Sequence, residues 1–471
     1  MSRHIPMRKV HLVIRPKSAL WLKTLAGAAA LSLTLAACGD GDSTAGDTAT
    51  SDDTATSEET STGDETAAGE FTNDECASGA TSADTFKASG ILPLTGNLAF
   101  LGPPEIAGVG LAVSDINAAG GVGGAEACHW ILDSGDATDA SVANNSAQQA
   151  IQGQVSVVVG AASSSVTLNI VDAITDAGIV QISPANTAVA LSGYSPFYFR
   201  TAPPDGIQGD ALGNLVLQDG FTNVAFVIFN DAYGTGLRDV VQDVLEANGG
   251  TVTYGGRGQG QEFPPGQTSF SAEVNGALAS NPDAIIIIAF DETKAIVPEL
   301  ANAGWDMSKT YYTDGNASSY GEDFPAGTLE GAKGTIPGAD AEDSFKQRMN
   351  GWYQAAEGTE LNDYSYGPES YDAVILAALA AVRGGATDPA TIQENLAAVS
   401  GAEGGTECSP YEECVAALDA GDEIDYQGPS GTGPFDAEND PSSAFVGIYQ
   451  YDGENNLSRV DTVEGFKAGA Q

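Results

Sequence analysis

The stretch V-S-V-V-V-G-A-A-S-S-S-V-T-L-N-I-V-D-A-I-T-D (155–176) decides how the chain folds. Val155 to Val159 is a short, continuous apolar run, the pattern of a strand covered on both faces. Gly160 and the serines at 163–165 turn the chain, and Val166 to Asp176 is predicted to be a helix. The same unit recurs upstream. Strands are expected at Phe86–Leu92 and His129–Asp133. Helices are expected from about Pro104, ending at Gly120-Gly121, and over Asp139–Gln152. A fourth strand follows at Ile179–Ser183. Near-continuous Val/Ile runs separated by helical segments indicate parallel strands.

The pattern then restarts. Strands are predicted at Asn223–Phe229, Thr251–Tyr254, Ala284–Phe290 and Tyr311–Thr313, with helices at Leu237–Asn248 and Glu292–Ala303. Long helices return at Asp343–Ala356, Ser370–Val382 and Pro389–Val399, and the last strand expected is Ala444–Tyr451. Two such blocks read as an α/β protein of two doubly wound parallel-sheet lobes.

Composition removes several function classes. Against 64 Asp+Glu stand 18 Lys+Arg, a formal net charge of −46 in 471 residues. Six of the basic residues fall in the first 23 positions, and no acid precedes Asp40. So acidic a body repels phosphate backbones and excludes nucleic-acid partners. The basic start, an apolar run from Thr24 to Ala37 too short to span a bilayer, and L-A-A-C ending at Cys38 read as a lipoprotein signal over residues 1–37, with Cys38 the lipidation site. Residues 38–83 form an acidic tether, whose first part to Glu70 has no aromatic or basic residue. The expected location is the outer face of the cell membrane, lipid-anchored.

Beyond Cys38 the cysteines are Cys76, Cys128, Cys408 and Cys414, an even number in an exported chain. Of three possible pairings we expect Cys408–Cys414 and Cys76–Cys128. No metal and no cofactor are expected, since no C-x-x-C occurs and His129 is the sole histidine after the signal. His129 reads as a packed or surface residue. The chain has no G-x-S-x-G elbow, H-E-x-x-H or Walker lysine, so it is read as a non-enzyme. The acidic run at 452–456 lacks EF-hand spacing and reads as a hairpin tip. Positive signals come from two strand ends. Ser163, Ser164 and Ser165 at a helix start offer N–H groups and hydroxyls to a carboxylate, and Pro184-Ala185-Asn186-Thr187 offers similar donors.

These strings resemble a known family. I-L-P-L-T-G (91–96), G-V-G-L-A-V-S-D-I-N-A-A-G-G-V (108–122), V-V-V-G-A-A-S-S-S (157–165), V-Q-I-S-P-A-N-T (180–187), F-Y-F-R-T-A-P-P-D (197–205) and N-D-A-Y-G-T-G-L (230–237) are similar, in order, to the leucine/isoleucine/valine-type (type I) periplasmic solute-binding proteins of ABC transporters. The resemblance implies two α/β lobes joined by a three-stranded hinge: lobe 1 from 84–202 and 337–440, lobe 2 from 203–336 and 441–471. It also implies a monomer that binds a branched-chain-type amino acid or small amide and delivers it to ABC permease subunits. A ligand-sensing receptor acting on a signalling partner is the alternative. By position, Ser164, Ser165, Ala185, Asn186 and Thr187 face the ligand from lobe 1. Tyr233, Asp314 and Asp291 do so from lobe 2, with Asp314 taking the ammonium. Two departures stand out: Asp314 where Glu is usual, and Phe100 or Leu101 where Tyr is common.

Overall fold

The computed structural model describes residues 71–76 and 85–466. The signal, Cys38 and most of the expected tether lie outside the described residues. Lobe 1 begins with β1 (Phe86–Leu92), α1 (Gly102–Ala118), β2 (Ala127–Asp133), α2 (Ala140–Gln152), β3 (Val157–Gly160), α3 (Ser164–Asp176), β4 (Val180–Ser183) and β5 (Tyr198–Arg200). Its five strands are all parallel, in the order β2-β1-β3-β4-β5. Alternation along β1 and β3 divides the core. Ile91 and Val158 face α2 and α3, whereas Phe86, Leu92, Val157 and Val159 face α1 and the later helices.

The chain then crosses into α4 (Asp205–Gln218), β6 (Asn223–Ile228), α5 (Ala232–Ala247), β7 (Thr251–Tyr254), α6 (Ser271–Ala279), β8 (Ala284–Ile288), α7 (Thr293–Asn302), β9 (Thr310–Tyr312) and β10 (Lys333–Pro337). It returns to the first lobe as α8 (Asp343–Glu357), α9 (Gly367–Gly384), α10 (Pro389–Val399), β11 (Thr406–Cys408), α11 (Tyr411–Ala420) and β12 (Ile424–Tyr426). It ends in the second lobe with β13 (Ser443–Tyr451) and β14 (Leu457–Phe466). The seven-stranded sheet runs β14-β13-β10-β9-β8-β6-β7. β8, four isoleucines with no exposure, lies inside this sheet.

The second sheet is not wholly parallel. β13 pairs antiparallel with β10, and β14 pairs antiparallel with β13. Sequence patterning missed β14 because L-S-R-V-D-T-V-E is mostly polar, as expected of an edge strand facing water. The 452–456 loop is the hairpin tip between these strands, with Asn455 turned inward: its side chain accepts from the Leu329 N–H and donates to the Phe324 carbonyl.

Glycines permit the closest helix contact in lobe 1. A Cβ at Gly108 would meet the Gly367 carbonyl at 2.2 Å, so α1 and α9 pack almost backbone to backbone. Residues 71–76, assigned to the tether from sequence, are instead fixed on lobe 1. Cys76 is disulfide-bonded to Cys128, Asp74 O accepts from the His129 N–H (2.9 Å) and Thr72 O from the Trp352 indole (3.0 Å). His129 is buried, its ring edge-on to Trp352. The second disulfide joins Cys408 to Cys414.

Three crossovers connect the lobes, and buried bonds tie them together. Arg200, at the end of β5, forms a fully buried ion pair with Asp440 at 2.7 Å. Thr201 donates to the Glu369 carbonyl at the start of α9 and accepts from Thr432, while the Ala339 N–H meets Ser430 O.

Candidate functional site

A small cavity lies where the carboxyl ends of the strands in both lobes meet. The first lobe contributes the start of α3 and the loop after β4. The second contributes the start of α5 and the loop after β9. Open α/β sheets place ligand sites at such strand ends, where helix N-termini leave N–H groups unpaired.

Each lobe-1 residue can be placed individually. Ser163 caps α3, its Oγ accepting the Val166 N–H. Ser164 lines the cavity; its Oγ accepts the Ala188 N–H at 3.3 Å, leaving its own proton to donate. Ala185 and Thr187 also line the cavity, and the buried Thr187 hydroxyl has no hydrogen-bond partner beyond the Asp205 carboxyl beside it. Asn186 lies at the wall, but its side chain is committed: it donates to Ala161 O and Thr167 Oγ1 and accepts from Tyr198. Only its backbone remains for a ligand. Ser165 points elsewhere, accepting the Ala232 N–H of the second lobe at 3.4 Å.

From lobe 2, the buried Asp314 follows β9 and receives three side-chain hydrogen bonds. The hydroxyls of Tyr233 and Tyr366 lie 2.7 and 2.6 Å away, and the Gln208 amide 2.8 Å. Burial raises the Asp314 carboxyl, and these three donors pull it partly back. Asp291 does not reach the cavity. It is half exposed and pairs with Lys294 at 2.9 Å, because the chain turns outward before α7. Its neighbour Glu292 faces inward, accepting from Phe290 N and, across the lobes, from Asn97. Leu98, Leu101 and Phe290 supply an apolar wall; of Phe100 and Leu101, the two candidates for the position where the family commonly has a Tyr, Leu101 is the one that lines the cavity.

Sequence reading missed Asp205, Gln208 and Tyr366. The first two sit on α4, a helix that polar and glycine residues hide from a hydropathy search. Asp205 is fully buried, and its carboxyl and the Thr187 hydroxyl lie beside each other with no further hydrogen-bond partner. Burial drives its carboxyl well above the ordinary range. The Thr187 hydroxyl beside it eases the shift, and the charge of Asp314 adds to it. Its presence in the P-P-D string at 203–205, just after the first crossover, was the available signal. Buried polar atoms are nearly always bonded, and each unpaired one costs about 1–3 kcal/mol. Thr187 Oγ1 at the cavity and the Asp205 oxygens beside it have no partner beyond one another, and Gln208 Oε1, one turn further along α4, has none. The lobes are closed over it, held by Tyr366–Asp314, Ser165–Ala232 and Asn97–Glu292.

Comparison with known proteins decides the family. A family model described as periplasmic binding protein matches residues 85–432. The chain belongs to the periplasmic binding protein family. Members of this family are exported, extracytoplasmic and solute-binding rather than catalytic. The chain is 33% identical over 177 residues to the leucine-, isoleucine-, valine-, threonine- and alanine-binding protein of Pseudomonas aeruginosa, covering 37% of this chain and 46% of that protein. It thus spans about half the length of that curated relative. It is 27% identical over 374 residues to the chemotactic signal transduction system substrate-binding protein BasB of Halobacterium salinarum, covering 76% of this periplasmic binding protein and 84% of BasB. The fold is shared with LivJ from Streptococcus pneumoniae, crystallised with isoleucine, at a TM-score of 0.63 and 23% identity over 81% of this chain and 99% of the other.

Proposed function

We propose that this chain is the solute-binding lipoprotein of an ABC importer and that its ligand is a branched-chain-type amino acid or related small amide. One observation carries the reading: the cavity lining combines hydroxyl and N–H donors from lobe 1, a buried acid from lobe 2, and apolar side chains from both lobes. On lobe 1, Ser164, Thr187 and the α3 N-terminus are donors suited to a carboxylate. On lobe 2, Asp314 suits an ammonium group, and the Asp205 carboxyl lies behind it against Thr187. The closed cavity measures about 20 Å3, room for little more than one water, so the ligand enters with the lobes parted.

In this reading a lobe of residues 84–202 with 337–440 hinges on one of 203–336 with 441–471. Cys38 carries the lipid at the outer face of the membrane, and the monomer delivers its ligand to permease subunits. Calorimetry with L-leucine, L-isoleucine, L-valine and their amides tests the ligand class. A protein that binds none of them refutes it. Cys38→Ala should release the protein from membranes into the soluble fraction; retention on the membrane refutes the anchor.

The likeness to BasB along most of both chains favours a second reading, in which the same clamp reports its ligand to a signalling partner. Capture with permease subunits supports transport, and capture with a transducer supports sensing.

A further inference from the structure

Tyr366 holds an unusual backbone position. It precedes α9 with φ +60°, the left-handed region that bulky residues other than glycine or asparagine rarely occupy. Such a conformation persists only where its surroundings fix it. Here the ring is 2% exposed and the hydroxyl is bonded across the lobes to Asp314.

Tyr366 lines two spaces. One is the small interlobe cavity described above. The other is a polar, partly open chamber of about 430 Å3, lined also by Pro337, Asp340 and Ala341 of the second crossover. Ser318, Tyr449 and Arg459 enter that chamber from lobe 2, and Asp363 and Glu369 from lobe 1. Tyr366 stands between them at the Asp314 end of the small cavity, where the proposed function places the ligand's ammonium.

We propose that Tyr366 is a specificity-determining residue: its ring is the partition that confines the ligand to a single amino acid and refuses one extended at its nitrogen. With the partition removed, an N-extended ligand such as a dipeptide has a path onward. Its C-terminal residue keeps the carboxylate contacts at Ser164 and Thr187. Its amide N–H replaces the ammonium at Asp314, and its terminal ammonium enters the chamber beside Asp363 and Glu369.

The inference rests on the proposed function, and the test separates the two. The probes are L-leucine and glycyl-L-leucine, measured by calorimetry on the full chain, on Tyr366→Asn and on Tyr366→Phe. Asn suits the left-handed backbone and shortens the side chain; Phe keeps the ring and loses the hydroxyl. The preference for leucine over glycyl-leucine should shrink by about tenfold or more in Tyr366→Asn and stay within about threefold of wild type in Tyr366→Phe. An unchanged preference in Tyr366→Asn overturns the partition. If Tyr366→Asn does not fold, Tyr366→Gly, equally suited to that backbone, replaces it. A wild-type chain that binds neither probe counts against the proposed ligand class. The partition is then decided by the crystal structure of the Asn or Gly variant: one continuous cavity supports it, and two separate cavities overturn it.

Discussion

The carboxyl of Asp205, in the first turn of α4, and that of Asp314, just after β9, are both fully buried, and the charge of Asp314 helps to raise Asp205. Under the proposed function, an ammonium held at Asp314 would offset that repulsion and favour the ionised carboxyls. Protons compete for the same oxygens, so binding of a zwitterion weakens as the pH falls through the raised ionisations. The dissociation constant of L-leucine should rise steadily as the pH is lowered from neutrality, with protons released on binding. Calorimetry in buffers of different ionisation heat reads both, and a flat profile contradicts this role.

Removing Asp314 as Asp314→Ala should weaken amino-acid binding by about tenfold or more, because a charge-assisted bond contributes about 1.5–3 kcal/mol. Ser164→Ala should cost less, since the α3 N–H groups remain. An Asp314→Ala protein with wild-type affinity removes Asp314 from the site.

Glu369 gives stability its own pH dependence. Burial pushes its carboxyl up to about 8 and that of Asp372 up to about 6, and the buried Glu105 beside Glu369 is also raised well above its ordinary value, chiefly by burial. The folded protein therefore holds protons that the unfolded chain, with carboxyls near 4, releases. Their stabilising effect is complete in acid and is lost as the pH rises to about 8, at up to about 1.4 kcal/mol per pH unit for each group. Urea unfolding of Glu369→Gln between those limits should show a flatter dependence than wild type. Parallel curves would exclude Glu369 as a source.

The Arg200–Asp440 pair is buried on both sides and links the first crossover to the third. Breaking one partner of such a pair leaves a charge unpaired out of water and costs about 3–5 kcal/mol. Asp440→Ala should lower the thermal midpoint markedly, and a shift comparable to that of an exposed substitution would show that the pair is not structural.

Charge also sets the response to salt. With 64 acidic and 18 basic residues, the surface repels itself, and screening shortens from about 10 Å at 0.1 M salt to about 3 Å at 1 M. The thermal midpoint should climb across that range in sodium chloride. A constant midpoint would mean that the surface charge carries no net cost to folding.

The strands β1, β3 and β8 and the donor corners at 163–165 and 184–187 were legible in the sequence. Their information is local: apolar runs a few residues long, then small or hydroxyl residues at a helix start. Position along the family strings also brought out Asp314 and Tyr233. The same reasoning offered Ser165, Asn186 and, with a helix cap as its more favoured role, Asp291, whereas the structure turns their side chains to Ala232, to Tyr198 and Thr167, and to Lys294. Sequence order states that a residue is near a strand end but not which way its side chain leaves the backbone. Strand β14, helix α4 and the contacts of Asp205 and Tyr366 had no local signature. Tyr366 reaches Asp314 from 52 positions away, across two lobes whose closure brings them together. The sequence by itself determined the two α/β blocks, the parallel strands at the centre of each and the acidic surface, because periodicity and composition act over short range; the antiparallel β13 and β14 were not among them. Which carboxyls and hydroxyls share one buried cavity was decided only by tertiary packing, where crossovers, burial and long-range hydrogen bonds fix each side chain.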